Sequence, residues 1–182
     1  MTTRQTVLAA ALPLALLSTS AMADLSTTVT LASDYTFNGV SQTMNDPAIQ
    51  GSLDYAFADS GMYVGTWASN VDFGDGTDIE WDAYFGNYAE FTDALSVDYG
   101  IAYYSYHGED YSSDGNYPEV YSKFGYASSI GQVELNFWYT WDYFGTGAGH
   151  LIYMVAHTFE VAPNHAIRAS FDVSNSLDGD KF

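Results

Sequence analysis

The sequence contains no cysteine, so the chain has no disulfide framework, no thiolate chemistry and no cysteine-ligated metal site. Positive charge is also scarce: 4 Lys and Arg stand against 23 Asp and Glu, and the net charge is −19 at pH 7. Binding to nucleic acid through a basic patch needs clustered Lys and Arg, and is therefore excluded. Nothing in the sequence identifies a protein partner or an oligomeric state.

Long apolar runs are missing after the first 23 residues, which read MTTRQTVLAAALPLALLSTSAMA. This segment has an early cation at Arg4, a short apolar stretch and a terminal Ala-Met-Ala. That order predicts a cleaved secretory signal peptide, because the apolar stretch contains Pro13 and is too short to span a membrane. We therefore expect residues 24–182 to form a single exported domain.

Acidity often accompanies disorder, but this chain is 47% hydrophobic and 17% aromatic, and such a composition folds. Apolar and polar residues alternate with a period of two from residue 25 onward, which predicts β-strands. Nine strands are predicted, at about 25–37, 48–57, 62–71, 77–88, 95–106, 117–127, 132–143, 150–160 and 165–174. Their length of about ten residues or more suits a tilted strand that crosses a bilayer.

The alternation gives each strand one apolar and one polar face, but it does not say which face points inward. In a soluble barrel the apolar face forms the core, whereas in an outer-membrane barrel it faces lipid. The third strand, MYVGTWASNV, does not sort into two faces, and we expect a β-bulge there.

Three features favour the membrane interpretation. The polar face is rich in small residues and almost devoid of Lys, aromatic residues crowd the strand ends, and long connections alternate with short ones. The long connections cover about 38–47, 72–76, 107–116 and 144–149, and the short ones include 58–61, 128–131 and 162–165.

We therefore predict an all-β, antiparallel up-and-down barrel in the bacterial outer membrane, with membrane lipid as its partner. Nine strands is an odd number, and single-chain bacterial barrels have an even one. We expect ten to twelve strands in a complete chain, and we expect this sequence to lack its last strand or strands.

Several blocks in order along the chain resemble a family of uncharacterised proteobacterial exported proteins labelled Gcw_chp. The blocks are FNGVSQT (37–43), PAIQGSLDY (47–55), GTWASNVDF (65–73), DIEWD (78–82), DYGIAYY (98–104) and PEVY (118–121). The resemblance implies an exported, β-barrel-like protein of the outer membrane with no established activity.

The polar face carries many more acids than bases. Its predicted members are the acids Asp34, Asp54, Glu80, Asp82, Asp98, Glu119, Glu134, Asp142 and Asp172, with the bases Lys123 and Arg168. Because buried charges need partners, an enclosed face of this kind must hold water, cations, protons or bases from further strands. We expect a small pore with an acidic, cation-preferring lumen.

Two alternatives remain open at this point. One is a closed barrel with a structural or surface-binding role through its acidic outer loops. The other is a soluble periplasmic barrel that binds an apolar ligand.

We expect no cofactor and no enzymatic activity. The loop DFGDGTDIE offers Asp72, Asp75 and Asp78 to Ca²⁺, but it does not fit the spacing of a Ca²⁺-binding loop. A Gly-x-Ser-x-Gly motif is absent, so the four histidines (His107, His150, His157 and His165) accompany no nucleophile motif.

Overall fold

The computed structural model describes residues 24–162 and 165–178. The predicted signal peptide, residues 1–23, lies outside the described residues. Within the described ranges, no helix is long and apolar enough to span a bilayer.

The described part of the chain consists mainly of β-strands. They are β1 (Asp24–Ala32), β2 (Thr36–Phe37), β3 (Val40–Ser41), β4 (Ala48–Ala56), β5 (Met62–Asn70), β6 (Ile79–Glu90), β7 (Leu95–His107), β8 (Tyr117–Ser128), β9 (Gly131–Thr140), β10 (His150–Ala162) and β11 (His165–Ser176). Short 3₁₀ turns occupy Ser112–Gly115 and Tyr143–Gly145.

The nine long strands make one antiparallel sheet in the order β1-β4-β5-β6-β7-β8-β9-β10-β11, and β2 pairs only with β3. Each long strand therefore pairs with the next long strand along the chain, which confirms the all-β antiparallel prediction. Over the residues described, β1 and β11 are the two edges and do not pair with each other, so the sheet is not a closed barrel.

The first strand is shorter than predicted, because it ends at Ala32 instead of residue 37. The carboxylate of Asp34 accepts hydrogen bonds from the hydroxyls of Ser41 (2.6 Å) and Thr43 (2.9 Å), and this folds the chain back on itself. The tight β2–β3 hairpin turns through Asn38 and Gly39, which both have positive φ.

The prediction of a β-bulge in the third long strand is wrong. β5 pairs with β4 and with β6 in unbroken register. Its pattern is mixed because the aromatic residues Tyr63 and Trp67 lie on the same face as polar neighbours. The described register does shift in the β10–β11 hairpin, between Glu160 and Ala162.

The sheet is strongly curved, and its polar face is the concave one. The hydroxyl of Tyr63 on β5 lies 2.6 Å from that of Tyr121 on β8, although three strand spacings in a flat sheet would be about 14 Å. Along β6, Glu80 and Asp82 are 3% and 8% exposed, whereas Ile79 and Trp81 are 46% and 52% exposed. On this central strand the polar face is therefore buried and the apolar face is exposed, whereas both faces of the edge strands β1 and β11 are largely exposed.

Candidate functional site: the acidic concave face and its loop cap

All nine strand residues in the predicted interior set share the concave face. Strand register links Asp54, Glu80, Asp82, Asp98, Glu119, Lys123, Glu134, Arg168 and Asp172 to one side of the sheet. Asp34 and Asp142 lie in the connections that follow β1 and β9.

Tyrosine hydroxyls hold the acids at mid-height. Tyr63 donates a hydrogen bond to Asp98 and also contacts Tyr121. Lys123 lies 3.6 Å from the same Asp98 carboxylate and 4.6 Å from the ring centre of Tyr121. Tyr84 donates to Asp54 in the same way. These acids are therefore partnered.

Near the edge strand β11, Arg168 neutralises Glu134. Two guanidinium nitrogens donate to the two carboxylate oxygens at 2.9 and 3.1 Å. This two-pronged geometry is the strongest arrangement for an arginine and a carboxylate.

Three further acids form what we call the acid trio: Glu80, Asp82 and Glu119. They are 3%, 8% and 2% exposed. Tyr104 donates to Glu119 at 2.8 Å, and Tyr35 lies within hydrogen-bonding range of Glu80. One carboxylate oxygen of Asp82 is buried with no hydrogen-bond partner. The two ion pairs found among the described residues involve other acids, so no described Lys or Arg forms an ion pair with the trio.

The acid trio lies beneath a loop cap, which we define as residues 33–47, 71–78, 108–116 and 141–149. All four segments leave the same end of the sheet. The amide of Asp72 donates to the carbonyl of Gln42 at 2.7 Å, and the hydroxyls of Thr77 and Ser112 lie 2.8 Å apart. These bonds join the first loop to the second and the second to the third.

Aromatic packing seats the loop cap on the sheet. Phe144 stacks on Tyr106 with ring centres 5.3 Å apart, and lies 5.2 Å from the ring of Tyr117. Phe73 from the second loop packs on the same Tyr106 at 5.6 Å. Together with buried Thr43, these contacts close the loop end of the concave face.

The two cap tyrosines that face the trio keep their protons. Burial raises the pKa of Tyr35 well above its ordinary value, and the negative charges of Glu80 and Asp82 raise it further. Burial also raises the pKa of Tyr143 to about 12, with added contributions from Glu119 and Glu80. Both phenols therefore remain hydrogen-bond donors at neutral pH.

The family comparison covers almost all of this architecture. A family model described as "Bacterial protein of unknown function (Gcw_chp)" matches residues 18–175. The chain belongs to the Gcw_chp family. The comparisons with curated proteins and with solved structures gave no match.

The Gcw_chp chain does not gather the carboxylates predicted to suit Ca²⁺. Asp72 and Asp75 instead accept hydrogen bonds from the amides of Gly74 (2.8 Å) and Thr77 (2.9 Å) in their own loop. Across the described chain, no group of three or more His, Asp or Glu side chains is arranged to hold a metal ion.

A serine–histidine contact that the sequence did not reveal lies on the apolar face of the Gcw_chp sheet. Ser105 Oγ is 3.1 Å from His107 Nε2. The same hydroxyl donates to the backbone carbonyl of Trp81, so its proton points away from the imidazole. This is the arrangement of a structural hydroxyl, because a nucleophile would direct its proton to the base.

Sequence analysis also missed the interior tyrosines of the Gcw_chp fold. Tyr63, Tyr84, Tyr104 and Tyr121 all lie on the polar face, where they donate to acids or to one another. Tyr84, Tyr104 and Tyr121 share the parity of the acids on their own strands, so the alternation contained this signal for those three. β5 has no acid, so the position of Tyr63 was not marked in this way.

Proposed function

We propose that this Gcw_chp protein is a transmembrane β-barrel of the bacterial outer membrane. One observation carries the proposal: from β4 to β10 the polar face of the sheet is the more buried one, while large apolar side chains are exposed on the other face. In water such a surface is costly, because large contiguous apolar patches drive association. In lipid the same surface is the stable one.

Closure of the barrel is part of this proposal. An unpaired strand edge is not tolerated in hydrocarbon, because its backbone groups find no hydrogen-bond partner there. β1 and β11 both run towards the loop cap, so an antiparallel closure requires an odd number of strands between them. One or three further strands would give the proposed barrel ten or twelve strands.

The proposed role is a small pore that prefers cations, in a conformation closed at its loop end. Of the seven strand acids predicted for the concave face, Asp98 and Glu134 are paired with Lys123 and Arg168. The remaining carboxylates give the interior a negative potential, which attracts cations and repels anions.

A second candidate role is a permanently closed barrel with structural or surface-binding work done by its acidic loops. The tight packing of the loop cap favours it. The two roles differ in whether the loop end ever opens to ions.

Membrane embedding is tested by carbonate washing of membranes and by flotation of the refolded full chain with lipid vesicles. We expect the protein to stay with the membrane and to float with the vesicles. Release by carbonate, together with failure to float, would leave the soluble periplasmic barrel as the better interpretation.

Ion passage is tested by planar-bilayer recording under a salt gradient. A steady conductance whose reversal potential favours cations supports the pore. A folded, inserted protein with no conductance under any condition supports the permanently closed barrel.

A further inference from the structure

We propose that the loop cap is held closed by protonated carboxyl groups of the acid trio, and that it opens when Glu80, Asp82 and Glu119 lose their protons. The proposal rests on the proposed function for its membrane setting and gives the pore its control. The barrel would then be gated by pH, with the loop cap closed at low pH.

The first support is the environment of the acid trio. Each side chain is more than nine-tenths buried, and an oxygen of Asp82 has no hydrogen-bond partner. A buried carboxylate without a counter-charge carries a large desolvation cost, whereas a neutral carboxyl carries little. The closed arrangement therefore suits neutral acids.

The groups that face the trio supply no neutralising charge. Ser69 on β5, Tyr106 on β7 and Tyr35 in the cap face Glu80. Trp67 on β5 and Tyr104 on β7 flank Asp82. Glu119 pairs with Ala102 on β7, accepts a hydrogen bond from Tyr104, and has Tyr117 and Tyr143 nearby.

Two groups near the trio carry or acquire positive charge. Lys123 lies on the same strand as Glu119 but forms its ion pair with Asp98. His150 stacks on Tyr143 with ring centres 4.0 Å apart. His150 gains its charge as the pH falls, whereas the acids of the trio gain theirs as the pH rises. The test is therefore made at a pH where His150 is neutral.

The second support is that the loop cap itself excludes water from the trio. Tyr35, Tyr143 and Phe144 come from two of the four cap segments, and Phe144 packs on the tyrosines beside the acids. Charging three neighbouring acids creates mutual repulsion and a demand for water. Water reaches the trio from the loop end when these segments lift.

The direction and size of the effect follow from proton linkage. If the closed state holds one more proton than the open state, the ratio of open to closed rises about tenfold for each pH unit. Ordinary exposed carboxyls titrate near pH 4, so they do not contribute between about pH 6 and about pH 9.

Hydrogen–deuterium exchange of the refolded full chain, in micelles and in lipid vesicles, measures cap opening. The reporters are the amides of Gln42, Asp72 and Asp78, which are bonded at 2.6, 2.7 and 2.9 Å in the closed cap. After correction for intrinsic exchange, we expect their protection to fall about tenfold per pH unit from about pH 7 to about pH 9. Amides in the middle of β10 serve as the internal reference.

The decisive variant is Glu80→Gln, Asp82→Asn and Glu119→Gln combined, which should flatten the pH dependence. The matched control replaces the same number of carboxylates with Asp54→Asn, Asp98→Asn and Glu134→Gln, all at partnered positions, and should keep the slope. If the triple variant fails to fold, Asp82→Asn alone should reduce the slope.

Three results would overturn the proposal: a flat profile in the unaltered chain, an unchanged slope in the trio variant, or protection restored at high pH by K⁺ but not by choline. The last would mean that a cation, not protons, holds the cap. Failure to float with vesicles would refute the membrane barrel. The pH dependence of amide protection in micelles tests the loop cap whether or not the protein inserts into vesicles.

Discussion

At the level of single residues, packing on the concave face of the sheet requires glycines beneath the tyrosine side chains. Gly86 and Gly100 face each other on β6 and β7, and the hydroxyl of Tyr121 lies over both. A Cβ at Gly100 would overlap this hydroxyl and also the backbone carbonyl of Phe85, which has little freedom to move.

We expect Gly100→Ala to destabilise the folded chain by about 1–3 kcal/mol, because overpacking forces the tyrosine or the backbone to shift. Urea unfolding in micelles, followed by tryptophan fluorescence, measures the change. Gly51→Ala is the matched control, since its Cβ would lie 3.5 Å from the nearest atom, at ordinary contact distance. Equal stability of both variants would contradict the packing argument.

The Arg168–Glu134 pair gives a second prediction at this level. We expect a double-mutant cycle with Arg168→Gln and Glu134→Gln to give a coupling energy of about 1 kcal/mol, because the pair is partly exposed. The Lys123–Asp98 pair, at 3.6 Å and with a more exposed lysine, should give less. A larger coupling for the lysine pair would show that the two-pronged geometry does not matter here.

Sequence alternation was sufficient to assign single residues to a face, but not to identify their partners. Asp54, Asp98 and Glu119 were expected on the polar face because they share its parity. Their donors are Tyr84, Tyr63 and Tyr104, and tyrosine counts as a hydrophobic residue in the alternation pattern. The hydrogen bonds join residues up to 35 positions apart. Curvature of the sheet creates these contacts, and no local pattern encodes it.

Among the elements, the long strands were the most predictable part of the fold. All nine were located, and period-two alternation marked the two faces of every one except β5. The loop cap was not predictable, since its hydrogen bonds connect separate loops. The early end of β1 was also missed, because it depends on the capture of Ser41 and Thr43 by Asp34.

A substitution on the exposed apolar face of β7 tests whether this face contacts lipid or water. Ile101 lies at mid-strand on the apolar face and is exposed. If this face contacts lipid, Ile101→Arg should destabilise the inserted protein by about 2–4 kcal/mol. In water the same change would have an effect within about 0.5 kcal/mol.

Reversible unfolding in lipid vesicles measures this cost. Asn87→Lys, on the same face but near the short-turn end of β6, is the control and should cost about 1 kcal/mol or less. A neutral Ile101→Arg would place the apolar face in water, against the membrane proposal.

For the whole molecule, one conductance measurement tests both the proposed pore and its loop cap. Phe144 joins Phe73, Tyr106, Tyr117 and Tyr143 at the closed loop end. Removing its ring leaves a gap in this cluster and weakens the docking of the fourth loop. We therefore expect Phe144→Ala to raise conductance at about pH 6, where the proposed switch keeps the unaltered barrel closed.

Planar-bilayer recording of both proteins at equal insertion checks this prediction, with heat-modifiable gel migration to establish that each is folded. Phe91→Ala is the control, because that ring is exposed in the short turn between β6 and β7, at the end of the sheet opposite the loop cap, and its loss should leave conductance unchanged. The opened Phe144→Ala barrel should favour cations, because the acid excess of the concave face is unaltered. Conductance without cation preference would mean that the interior acids remain neutral in the open state, and the negative potential would then have no part in selectivity.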